Sequence, residues 1–147
     1  MASPLLVMES LAATRRYVGT SVGPTDWLEI DALRVRRFLE ATGDGAAHPS
    51  ADPAPSVPGT LLLSLIPTLL PRLVAIEGWT RGVNAGIDDC RFLTPVPVGG
   101  RVRMSAELLR ARGVPGGGVR LSFVVRFELE GADAPACTSQ VHYAYFP

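Results

Sequence analysis

The chain has 147 residues, of which 47% are hydrophobic and 19% charged, with fourteen basic and fourteen acidic side chains. That balance excludes a disordered protein, and zero net charge gives no electrostatic reason to expect nucleic acid or an anionic membrane as partner. All the basic residues are arginine, which excludes Schiff-base chemistry on lysine and leaves arginine or backbone N–H groups for any phosphate contact.

Met1 to Ser10 has no basic n-region and no long apolar run, so no signal peptide is expected and the chain reads as cytoplasmic. Residues 3–14 suit a short helix. Gly19 to Pro24 is rich in turn formers, and Asp26 to Ile30 alternates polar and apolar residues as a strand does. Asp31 stands where an N-cap belongs. After it Leu33, Val35, Phe38 and Leu39 recur at helical spacing as far as Thr42 and Gly43, where glycine stops the helix.

Residues 43–58 are rich in Ala and Pro. They resemble a linker, but the pieces on either side are too small to fold alone, so 1–147 is one domain and the segment a functional loop. Gly59 and Thr60 open an apolar helix running to about Val74, with a kink or early end implied by Pro67 and Pro71. It is shorter than the ~20 residues of a membrane span, and its apolarity on nearly all sides predicts that other structure surrounds it. Four strands follow, at 82–92, 100–112, 118–130 and 136–146, separated by turns of hairpin length. Such strands pair antiparallel and leave one apolar face, which the single apolar helix can cover. The pattern predicts an α+β hotdog fold, a curved antiparallel sheet wrapped around a central helix.

The residues carry a family resemblance. Val18-Gly19-Thr20 through Asp26-Trp27, with Ala41-Thr42-Gly43-Asp44, resembles the opening of MaoC-like hydratases of the nodulation-protein-N-like branch. Gly59 to Pro67 is similar to that family's central helix. Val83 to Asp88 with Arg91-Phe92, then Pro95 to Gly99, resembles its first long strand and turn, and Glu130-Gly131 with Pro135-Ala136-Cys137 its last hairpin. The resemblance implies a dimeric hotdog hydratase or dehydratase acting on 2-enoyl or 3-hydroxyacyl thioesters of coenzyme A or acyl carrier protein, without cofactor or metal. It marks Asp44 and His48 as the acid–base pair, and Gly59, Thr60 and Asn84 are candidate oxyanion or substrate contacts. The chain departs from the family in having one residue fewer between Asp44 and His48, a shorter loop after His48, and Pro58 where the family has histidine.

Hydration needs a base for water, an acid for C2 and donors for the thioester oxygen as it gains charge. Asp and His sharing one water can move both protons, and the first N–H groups of a helix beginning at a glycine can supply the donors. Two other readings remain open. The pocket could isomerise, cyclise or hydrolyse a thioester-linked intermediate, or the domain could be an inactive acyl-binding or structural subunit.

The remaining polar residues read more simply. Asp44 also suits a turn cap, His48 an exposed loop position and Asn84 a cross-strand hydrogen bond. Ser64 lacks nucleophile partners, and His142 reads as facing outward on the last strand. Arg101 and Arg103 read as solvated, with a coenzyme A phosphate as the alternative. Gly116 to Gly118 reads as a hairpin tip, and Cys90 and Cys137 as small core residues too far apart in sequence for a metal site or disulfide framework. Leu33, Phe38 and Trp79 are expected to set the depth of the pocket.

Overall fold

A computed structural model describes residues 3–44 and 56–147. The N-terminal segment is not a helix from residue 3. Leu6–Met8 forms a short strand, β1, and Ala12–Tyr17 a 3-10 helix. Leu5 to Met8 is an unbroken apolar run with no 3.6-residue face, and Met8 is fully buried. The strand expected over Asp26 to Ile30 shrinks to Leu28–Glu29, β3, preceded by a two-residue strand at Ser21–Val22, β2.

The helix after Asp31 forms as its sequence dictates. In α1, Ala32–Thr42, the Asp31 carboxylate accepts the Arg34 N–H at 2.8 Å. Gly43 ends the helix at φ 75° and donates its N–H to carbonyls of the last turn.

Gly59–Leu73 is α2, and it runs through Pro67 and Pro71 rather than ending at either. Both prolines lie on its exposed side, where a missing backbone bond is least costly. Leu61, Leu62, Ile66, Leu69, Leu70 and Leu73 are buried, whereas Ser64 and Thr68 are exposed and Leu63 and Leu65 only half-buried. Other structure therefore covers α2 on one side and not all round. Val74–Ile76, β4, leaves the helix directly and pairs in parallel with β1.

The remaining strands are β5 (Arg81–Phe92), β6 (Arg101–Val114), β7 (Gly118–Leu129) and β8 (Pro135–Phe146), all close to their predicted spans. They pair antiparallel in the order β2-β6-β7-β8-β5, with β3 also on β6. Period-two alternation sends Val102, Met104, Ala106 and Leu108 of β6 and Leu121, Phe123, Val125 and Phe127 of β7 to one face, where all are buried. These side chains and the apolar stripe of α2 form one core, the hotdog arrangement expected from the pattern. The turn at Gly116 and Gly117, both at positive φ, is a hairpin tip. No helix among the described residues is long and apolar enough to cross a membrane.

Ile66 sits at the centre of this contact, 1% exposed. Ile66→Ala is expected to destabilise the fold by about 3 kcal/mol, the usual cost of a core cavity. Urea unfolding should show a lower midpoint with an unchanged slope.

Candidate active site

The start of α2 is the most constrained point near the predicted site. Val57 donates its N–H to Val96 at 2.7 Å and is itself buried. Val96, 2% exposed, lies in the connection between β5 and β6. This bond fixes where Pro58 and Gly59 enter the helix. Pro58 is the N-cap residue and has no side-chain acceptor for the first N–H groups. A Cβ on Gly59 would stand 2.6 Å from the Phe92 ring, so the ring rests where any larger residue would place its side chain. Phe92 itself is 54% exposed. The helix end thus offers oriented N–H groups at the positive end of the dipole, beside an aromatic wall that solvent reaches.

Asp44 follows the left-handed Gly43 that stops α1, and it is half-buried. His48 lies outside the described residues. Thr60 is exposed in the first turn of α2, and its carbonyl accepts the Ser64 hydroxyl at 2.9 Å, which ties Ser64 to its own helix. Asn84 is exposed on β5, opposite Tyr143 and just before a register shift. The structure brings Phe92 to Gly59, a neighbour that sequence spacing alone does not reveal.

A small apolar cavity lies at the other end of α2, between the helix and the sheet. Pro67, Leu70, Val74, Phe123, Tyr143 and Tyr145 are among its walls. Burial pushes the Tyr145 phenol up to about 12, with Tyr143 adding to the effect, and burial also raises Tyr143. Both phenols therefore stay neutral at physiological pH, so neither places a charge beside the cavity. Leu33, Phe38 and Trp79, expected to set pocket depth, do not line it. Trp79 instead packs edge-on against Tyr145, with ring centroids 5.4 Å apart.

Three residues given no role by the sequence form a hydrogen-bonded chain across β5, β8 and β7. His142 Nε2 lies 2.7 Å from Asp88 Oδ2, and His142 Nδ1 lies 2.7 Å from Ser122 Oγ. His142 does point to the outer face of the sheet as expected, but it is 7% exposed, not solvated. Its burial follows from register, because Ser122 is its direct partner on β7 and Gly86 its partner on β5, leaving room for the ring. Ser122 is also buried, so the chain presents no accessible nucleophile.

Register also corrects the separation of the two cysteines. Cys90 and Cys137 are neighbours across β5 and β8. Burial, then the nearby Cys90 thiol, pushes Cys137 up to about 12. Arg101 and Arg103 are not merely solvated, because Glu130 holds Arg101 at 3.0 Å and Glu128 holds Arg103 at 2.7 Å. Arg103 also lies over the Trp27 ring at 4.4 Å from its centroid.

No family model matches the chain. It is 32% identical over 140 residues to a protein of Mycobacterium tuberculosis called 3-hydroxyacyl-thioester dehydratase Z, covering 90% of this chain and 93% of that one. It is 29% identical over 140 residues to nodulation protein N of Rhizobium leguminosarum, covering 88% and 87%. Among solved structures it superposes on a MaoC-like dehydratase from Rhodospirillum rubrum with a TM-score of 0.63, at 12% identity, over 88% of this chain and 92% of that one.

The contact between Gly59 and Phe92 is testable without any assay of activity. Gly59→Ala is expected to destabilise the protein by about 1–3 kcal/mol through overpacking. Most of that loss should disappear when Phe92→Ala is already present. Additive effects in this double-mutant cycle, read by thermal unfolding, would show that the ring does not rest there.

Proposed function

The chain belongs to the MaoC-like hydratase family, in the branch that includes nodulation protein N, and from that premise we propose that it interconverts trans-2-enoyl and 3-hydroxyacyl thioesters of coenzyme A or acyl carrier protein. The observation that carries this reading is the start of α2. There the half-buried Gly59, in a helix start uncapped by any side chain, lies against the exposed Phe92 ring. A thioester carbonyl approaching Gly59 and Thr60 would meet backbone donors aimed at the oxygen that becomes negative as the enolate forms.

In the forward direction Asp44 and His48 share one water. One takes its proton as the oxygen bonds to C3, and the other delivers a proton to C2. Dehydration reverses both transfers, and neither direction needs a redox partner, cofactor or metal. Each correctly placed acid or base contributes typically 10²–10⁴-fold, and each oxyanion donor ~3 kcal/mol. Asn84 on β5 serves as a further polar contact for the substrate. The apolar cavity beyond Pro67, flanked by phenols that stay neutral, suits an acyl tail better than a charged one.

The reading includes a homodimer acting in the cytoplasm. Among the described residues β5 pairs only with β8, so its other edge is open, and Val83, Ile87 and Phe92 are each more than 40% exposed along it. Such an edge is normally covered, and a second copy of β5 covers it symmetrically.

Asp44→Asn and His48→Ala are each expected to slow hydration of crotonyl-CoA by about 10²-fold or more, followed as loss of enoyl absorbance. Wild-type protein inert toward several enoyl chain lengths, on both coenzyme A and carrier protein, would overturn the reading. Sedimentation should show a dimer, and Ile87→Glu should shift it toward monomer. A monomeric wild type would refute the assembly.

A further inference from the structure

β5 shifts register twice, after Asn84 and after Asp88, and the second bulge decides which way Phe92 faces. Ile87 pairs with Val141, and Phe92 pairs with Cys137. Val141 and Cys137 are four residues apart on β8, and both are buried in the core. Ile87 and Phe92 are five apart on β5, so one extra residue lies between Asp88 and Arg91. Side chains alternate in a strand, so without that residue Phe92 would point away from α2. The bulge is what places the ring on Gly59.

Keeping an irregular pairing at a sheet edge requires specific contacts, and β8 supplies them from Ser139, Gln140 and His142. His142 Nε2 meets Asp88 Oδ2 at 2.7 Å, and Ser122 holds the other ring nitrogen at 2.7 Å. The Ser139 hydroxyl donates to the Asp88 carbonyl at 3.3 Å. Gln140 Nε2 donates to Asp89 Oδ2 at 3.1 Å. Asp89 has φ 49°, a left-handed conformation in which a non-glycine residue sits only when its surroundings hold it. His142 is the one of these groups that is buried and bonded at both ends. A ring protonated at Nε2 donates to Asp88 and accepts from the Ser122 hydroxyl, which leaves no polar atom unmet.

We propose that His142 is a positioning residue, which with Ser122 holds Asp88 and thereby the bulge that turns Phe92 onto the start of α2. It touches no reacting atom. Its effect on turnover rests on the hydratase reading above, whereas its effect on the bulge does not.

Asp88→Ala and His142→Val separate these two claims. The Asp88 side chain is 70% exposed, so its truncation leaves the core intact. Both variants should raise amide hydrogen exchange at Asp89 to Phe92 about tenfold relative to β6 and β7. With crotonyl-CoA, kcat should fall about tenfold and KM should change less than about twofold, as misplaced geometry rather than lost binding predicts. Asp88→Asn keeps an acceptor for Nε2 and should restore most of both losses. Unchanged exchange at Asp89 to Phe92 in both variants would overturn the proposal. Faster exchange in a protein whose wild type shows no turnover would support the clip while refuting the hydratase reading.

Discussion

The packing of α2 against the curved inner face of the sheet is the contact on which the rest of the molecule depends. Ile66, Leu69 and Leu73 of the helix and Phe123, Val125 and Phe127 of the sheet are all nearly inaccessible and belong to one core. Each such side chain contributes on the order of 1.5–3 kcal/mol of burial. Everything else hangs from this contact. It fixes the helix axis, the axis fixes where the first turn ends, and the first turn is where the backbone donors emerge. Because the helix leaves Ser64, Pro67 and Thr68 outside the core, the same contact also decides which flank stays open.

A donor built from a helix end has an advantage over one built from a loop. Its direction is set by a fifteen-residue helix and its packed stripe, so it needs no reorganisation as charge develops. The proposed acid–base residues sit on a different part of the chain. Asp44 follows the cap of α1, a helix in which only Val35 is buried, and it precedes the segment that carries His48. The proposed site would join a rigid electrostatic element to one that follows a more lightly packed helix, a division that suits a reaction in which protons move and the oxyanion does not.

Most of the fold was legible because its signals are local. Alternation in β6 and β7, the Asp31 cap, the Gly43 stop and the glycines at the hairpin tip each follow from a few neighbouring residues. What was not legible depends on register. β1 and β4 are three residues each, and their parallel pairing joins segments nearly seventy positions apart, so no periodicity announces it. The surroundings of α2 were overstated because composition cannot say which apolar residues find partners. His142 lies on the face that alternation predicts but is buried, since its burial comes from Ser122 and Gly86 on two other strands. Of the candidate site residues, Gly59 and Thr60 stand at a helix start, and Asp44 directly after the helix stop. The contact of Phe92 with Gly59 could not be read, because it depends on a bulge.

That bulge shows how a sheet edge can serve two purposes. An edge strand with regular pairing would present a flat row of backbone groups and alternate its side chains without exception. β5 instead changes phase between Asp88 and Arg91, so Ile87 and Phe92 both face the helix side despite an odd separation. Upstream of the shift the strand carries exposed apolar residues, and downstream it delivers an aromatic ring to the first turn of α2. The clip from β8 sits between these two stretches, on the opposite face of the sheet from the ring it orients. On the proposed role of His142, a change on the outer face of β8 would be felt at Gly59 through one strand.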